Sequence, residues 1–241
     1  MKISHKMIVL SFLGCISNAS FADLATLQKQ ESKVIQQFQK SNFYEVNTDI
    51  EQAVVRLIAN DPSSFKHNFA QLEKQGYVHI QYSPDKKLKF YSFDVSGGGT
   101  MGEWSNYVQY ATAKTQHLDE FESGYINQIQ PVRVQNKTIY LVRSYYKGDS
   151  CTGVHHLRAV EIGPKQLLKS YVFNTKQKNL HEISVDYDCR YDQERNNQQN
   201  YIKVAAKQVD VMLLNQKLQP QHRYLRYSLG SKGFVYQGIV K

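Results

Sequence analysis

The sequence holds no closely spaced cysteine pair, no His-Glu-x-x-His and no Gly-x-x-x-x-Gly-Lys. Those absences leave a zinc site, a zinc-peptidase helix and a phosphate-cradling loop without their usual ligands. Proline occurs five times and glycine 13 times in 241 residues. Nowhere do they gather with serine into a linker that would divide the chain. After the N-terminal segment no stretch reaches the ~18 consecutive apolar residues that mark a membrane-spanning helix. No fixed-period repeat stands out, which ranks a propeller behind a sandwich or barrel.

What the first residues do contain is an export pattern. Met1 to Lys6 is short and basic, Met7 to Ile16 is apolar apart from Ser11 and Gly14, and Ser20-Phe21-Ala22 offers small residues on either side of Phe21. A basic stretch, an apolar stretch and a small-x-small site define a secretory signal. The expected division is therefore residues 1–22 as signal peptide, cut between Ala22 and Asp23, and 23–241 as one extracytoplasmic domain, periplasmic or secreted. A minority reading takes Phe12-Leu13-Gly14-Cys15 as a lipoprotein processing site, with Cys15 lipidated and the product anchored.

Removing residues 1–22 of the 241 leaves 219, and Lys2 and Lys6 go with them. Of 30 basic and 21 acidic residues, 28 and 21 remain, a formal charge of +7. Such a charge favours an acidic protein, an anionic glycan or a lipid surface as partner. Export sets nucleic acid aside. Two cysteines survive, Cys151 and Cys189, separated by 37 residues. In an oxidising compartment they are expected to pair, worth roughly 3–4 kcal/mol in the chain-entropy treatment.

Helical spacing of Leu24, Leu27, Val34, Ile35 and Phe38 predicts a first helix. Thr48-Asp49-Ile50-Glu51 reads as a capping box opening a second. Asp61-Pro62 opens a third, which runs through Phe65, Phe69 and Leu72 to a C-terminal cap at Gly76. Beyond Gly76 the period changes to two. Val78–Tyr82 and Leu88–Asp94 flank a turn at Ser83-Pro84-Asp85-Lys86. Val132–Val134 and Thr138–Tyr145 flank Gln135-Asn136-Lys137. Further strands are expected at 154–162, 167–173, 183–190, 201–206, 224–229 and 234–236. Helices over 23–76 followed by strands over 77–241 predict an α+β fold, with three helices before an antiparallel meander forming a sandwich or barrel-like sheet. The polar stretch 192–200 reads as a loop.

The search for chemistry yields weak signals. Gly148-Asp149-Ser150 resembles the nucleophile segment of trypsin-like proteases over three residues only, without a first β-barrel upstream. It reads better as a polar turn beside Cys151. His155 and His156 are adjacent on a strand and face opposite ways. His117 and Glu120 would meet on a helix, with no third ligand near. Asp186, Asp188, Asp192 and Glu194 form an acidic cluster that lacks the EF-hand spacing. Arg190, Arg195 and Lys203 are available to neutralise it.

Gly97-Gly98-Gly99-Thr100-Met101-Gly102 is the most unusual segment. It reads as a wide hairpin connection, or as a loop shaped for a partner together with Glu103 and the lone Trp104. Many of the 17 tyrosines stand beside cations, as in Arg143-Ser144-Tyr145-Tyr146-Lys147, and Tyr and Arg are enriched at interfaces. The binding residues expected from sequence are Gly98, Gly99, Glu103, Trp104, Tyr145 and Tyr146. No catalytic residue, metal or cofactor is assigned. The reading that follows is a non-enzymatic binding protein of the envelope acting on a protein partner, for example an inhibitor or immunity protein against an envelope-targeted hydrolase. The alternatives are a cell-wall or glycan hydrolase built on two carboxylates, and a glycan- or lipid-surface binding module.

Overall fold

A computed structural model describes residues 18–113, 115–188, 190 and 200–241, with side chains from Leu24 onward. Three helices precede fifteen strands among these residues: α1 (Asn18–Phe38), α2 (Phe43–Asn60) and α3 (Ala70–Lys74), with a short 3-10 turn at Pro62–Phe65. The fold is α+β, as the pattern predicts. None of the described helices is long and apolar enough to cross a membrane.

The strands form three sheets. The first joins β1 (His79–Tyr82), β2 (Leu88–Asp94), β3 (Trp104–Ala111) and β4 (Gln116–Glu120) in sequence order. The second orders β11 (Glu182–Asp188), β7 (Thr152–Ile162), β6 (Lys137–Lys147) and β5 (Tyr125–Val134), with β8 (Leu167–Lys169) beside β7. The third runs β10 (Asn179–Leu180), β9 (Phe173–Asn174), β15 (Gly233–Val240), β14 (Pro220–Gly230), β13 (Gln208–Leu214) and β12 (Ile202–Ala205). Pairing is antiparallel except between β15 and β9, where the chain end returns beside an earlier strand.

Alternation decides how the sheets stack. Tyr91 and Phe93 of β2 pack with Leu27, Val54 and Phe69 of the helical layer. Leu88 and Phe90 on the opposite face pack with Ile129, Tyr140 and Val142 of the second sheet. Leu141 and Leu157 then turn to the third sheet, against Val209, Val211 and Phe234. The order is helices, first sheet, second sheet, third sheet. Two of the sheets therefore lack a fully solvated face, and strands buried on both sides lose the clean alternation of a half-exposed sheet.

Local signals explain the ends of the helices. Gly76 takes φ +73, and the Gly76 N–H donates to Glu73 O while the Tyr77 N–H donates to Leu72 O, both at 3.0 Å. This is the Schellman closure expected of a C-terminal glycine. Two expectations need correction. Helix α2 begins six residues before Asp49, capped by the Asn42 side chain. Thr48 is thus interior, and Glu51, instead of reaching back, accepts hydrogen bonds from the Ser105 hydroxyl and, at 2.9 Å, from Tyr107. The third helix is split, because Phe69 adopts φ 49 and buries its ring.

A polar seam runs between helices and first sheet. Glu31 is 1% exposed, lies 2.8 Å from His67 Nε2 and accepts the Gln71 and Leu72 N–H groups at 2.8 and 2.9 Å. Lys89 is wholly buried. Its Nζ donates to Ser64 O and His67 O at 2.8 and 2.5 Å and lies 4.6–5.2 Å from the centroids of Phe69, Tyr82 and Tyr91. Beside it Tyr91 donates to Gln109, which donates to Ser64. Burial pulls the ammonium of Lys89 down to about 7, against the attraction of Glu73 and Glu31.

Candidate functional site

The glycine segment connects β2 to β3. Its base is closed by Val95 N–H to Glu103 O at 3.0 Å. The buried Asn47 side chain of α2 fixes it further by donating to Ser96 O at 2.8 Å. Gly98 takes φ +79, and a Cβ there would stand 2.9 Å from the Tyr44 ring, so the ring lies flat on bare backbone. Gly99 has open space around it. At the far side Gly102 N–H donates to Lys147 O at 2.9 Å, which ties the loop to the end of β6. The segment is a wide connection whose two ends are fixed.

Around this loop the structure gathers apolar surface. Tyr44 is 50% exposed, Met101 59% and Tyr146 37%. These are three of the seven large hydrophobic side chains exposed among the described residues. Between them Trp104 packs on Tyr125 with ring centroids 4.8 Å apart, and His79 meets the other side of Tyr125 at 4.8 Å. Tyr125 reaches this position because Gly124 lets β5 press against β6: a Cβ on Gly124 would overlap the Tyr145 carbonyl and sit 2.8 Å from Tyr146 N. The rim is aromatic, framed by Glu103 and Lys147.

Of the residues expected from sequence, Gly98, Gly99 and Glu103 lie on this loop, Trp104 opens β3 directly after it, and Tyr146 precedes Lys147, whose carbonyl holds Gly102. Tyr145 does not join them. It is opposite Tyr125 in register, but its side chain turns to the other face of the sheet. There it shares a hydrogen bond with Tyr187 and packs on His155, which stacks at 5.1 Å and 17° on Tyr201. Tyr44 and Tyr125 escaped the sequence reading, which held Met101 only as part of the glycine segment. The Phe43-Tyr44 pair held a signal: on a helix one ring turns in and its neighbour out, and Tyr44 is the outward one.

Several titratable groups elsewhere are held by defined partners. His155 faces the core and His156 the opposite side, as the strand period requires. Burial, with Arg143 and His156 nearby, pulls His155 down to about 4. A histidine kept neutral in the fold ionises first in the unfolded chain, so stability falls as pH drops from about 6.5 to about 4. Denaturant midpoints measured across that window should fall less for His155→Phe than for the parent; equal losses would mean that His155 does not carry the effect. His156 Nδ1 lies 2.7 Å from Glu182, which also accepts from Arg158 at 2.6 Å.

His117 and Glu120 fall on β4, not on a helix, and so face opposite ways; His117 stacks on Tyr110 at 4.9 Å. In the Gly-Asp-Ser turn the Asp149 carboxylate accepts the Cys151 and Thr152 N–H groups at 2.7 and 2.6 Å. Asp188 is bound by Arg190, and Lys203 Nζ lies 3.7 Å over the Tyr224 ring. Asp192, Glu194, Arg195 and Cys189 lie outside the described residues, as do Cys15 and the first 17 positions. The Ala22–Asp23 junction falls within α1. No group of three metal-ligating side chains occurs among the described residues.

A carboxylate-based hydrolase needs one carboxyl held protonated. The clearly displaced carboxyls move the other way. Arg190 holds Asp188 low and Arg226 holds Asp210 low. Burial works to raise Asp85 and Glu182, but hydrogen bonds from Ser83 and Tyr140, and from Arg158 and His156, outweigh it. No protein family, curated protein or solved structure matches this chain.

Proposed function

We propose that this chain is an exported binding protein of the cell envelope, stapled by a Cys151–Cys189 disulfide, that acts by holding a protein partner against its aromatic rim. An inhibitor or immunity protein for an envelope-targeted hydrolase is the concrete version. One observation carries the reading: Tyr44, Met101 and Tyr146 are exposed around a glycine loop fixed at both ends, with Trp104 and Tyr125 between them. Aromatic anchors in a preorganised surface supply most of the energy of protein interfaces. Gly99, with open space around it, leaves backbone that a partner can approach closely.

The test begins with the mature chain isolated from the envelope fraction, its N-terminal mass reporting cleavage after Ala22 or before Cys15. A partner eluting with it as a 1:1 complex on sizing is then titrated against Trp104→Ala, Tyr146→Ala and their combination. We expect each single change to weaken binding at least tenfold, with melting temperature held within a few degrees. Equal affinity of the double variant would refute the assignment of the rim.

A further inference from the structure

The seam between the first and second sheets ends at the aromatic rim on one side and opens into a cavity on the other. The cavity measures about 650 Å³, within the range of small-molecule sites. Its floor is apolar, from Phe65, Tyr140, Ile162 and Leu168. Its wall carries four cations, Lys86, Lys87, Arg133 and Lys137, against one acid, Glu161. Lys137 is paired with Glu161 at 2.9 Å, and Asp85 in the adjoining turn attracts Lys87, so four cations face two acids and a net charge of +2 remains.

Two fixed turns deliver these cations. In the β1–β2 turn the buried Ser83 hydroxyl accepts the Lys87 and Leu88 N–H groups at 3.1 and 2.9 Å and donates to Asp85 at 2.7 Å. The other oxygen of Asp85 accepts from Tyr140 at 2.8 Å. The turn is thereby locked onto β6, with Lys86 and Lys87 at the mouth. Across the cavity Val134 pairs with Lys137 around Gln135-Asn136, and Arg133 donates to Thr138 at 3.0 Å. Lys86 adopts φ 57, a conformation glycine would occupy more cheaply. Its Nζ lies 4.4 Å over the Tyr82 ring.

We infer that this cavity binds an anionic amphiphile, its apolar body on the Phe65–Tyr140–Leu168 floor and its phosphate or carboxylate group held by Lys86, Lys87 and Arg133. An apolar floor alone would not need three concentrated cations. Cations alone would not need a concave apolar floor. Held together they select a ligand that carries both parts, and the affinity falls with ionic strength because the cations lie at an open mouth.

Calorimetric titration with octyl phosphate, octanol and inorganic phosphate tests the inference on the whole chain. Octyl phosphate should bind 1:1 and at least tenfold more tightly than either half of it alone. The triple variant Lys86→Ser, Lys87→Ser, Arg133→Ser should lose at least tenfold. Arg133→Gln alone, on an exposed position of β5, should show part of that loss with an unchanged melting temperature, which covers a fold defect in the triple variant. Lys232→Ser, a charge control on the third sheet, should bind as the parent does. Octyl phosphate bound no better than inorganic phosphate, or bound equally by parent and Arg133→Gln, overturns the inference. Cosedimentation with phosphatidylglycerol vesicles identifies the source: loss of vesicle binding in the variants assigns a lipid headgroup, and loss of octyl phosphate binding alone assigns a free ligand.

Discussion

Lys89→Ala is expected to cost about 4 kcal/mol of stability, from a buried cavity and two carbonyl acceptors left without a donor. Those acceptors are Ser64 O and His67 O, which hold the 3-10 turn and the start of α3 against β2. The pH dependence separates the charge from the packing. The Lys89 ammonium titrates near 7 in the fold and near 10.5 when unfolded. Between those values the unfolded chain binds the extra proton, so the stability of the parent rises as pH goes up through that window. Lys89→Met keeps the length of the side chain and removes the proton. Melting temperatures at pH 6, 7, 8 and 9 should climb for the parent and stay flatter for Lys89→Met; parallel curves would refute a depressed lysine. Above about pH 10 the trend turns, because burial raises Tyr91, Tyr110 and Tyr140 and the unfolded chain ionises its tyrosines first.

Gly124→Ala is the second large effect. The atoms that a Cβ would strike belong to the backbone of Tyr145 and Tyr146, so no side chain can rotate out of the way. Strands β5 and β6 must separate locally, at about 3 kcal/mol. Gly99→Ala is the matched control: it has nothing within 4 Å and is expected to be neutral or to stabilise by a few tenths of a kcal/mol through the unfolded chain. Chemical denaturation of both variants checks the contrast. Because Tyr125 follows Gly124 and carries the Trp104 ring, a red-shifted tryptophan emission from native Gly124→Ala is expected as well. A stable Gly124→Ala with the emission of the parent would show that β5 does not need this close approach.

The order of helices and strands was legible in the residues because it rests on local chemistry: the glycine cap at 76, the turn residues at 83–86 and the period of the strands between them. Strand β3 was not, since Asn106 and Gln109 are 4% and 3% exposed and break the apolar alternation that marks a strand. Their burial is made acceptable by partners far along the chain, Ser123 O for Asn106 and Ser64 for Gln109. Strand β13, apolar through Val209, Val211 and Met212, was not among the strands expected. Nothing local announces that the first sheet is covered on both faces. Glu51 offered a local bond to Thr48 and took a tertiary one to Ser105 and Tyr107. The rim was half legible through Gly98, Trp104 and Tyr146. The basic cavity was visible only as two separate turns containing lysine, which strand pairing brings together.

The position of the second sheet decides which backbone is slowest to open. Strands β6 and β7 pair with each other at its centre and are covered by the first sheet on one face and the third on the other. Their amide hydrogens should therefore exchange only when the whole domain opens, later than those of α1 or β12. Strand β6 also runs from Lys137 at the cavity to Lys147 at the glycine loop, roughly 30 Å at strand rise. The rim and the cavity thus stand at the two ends of one doubly covered strand.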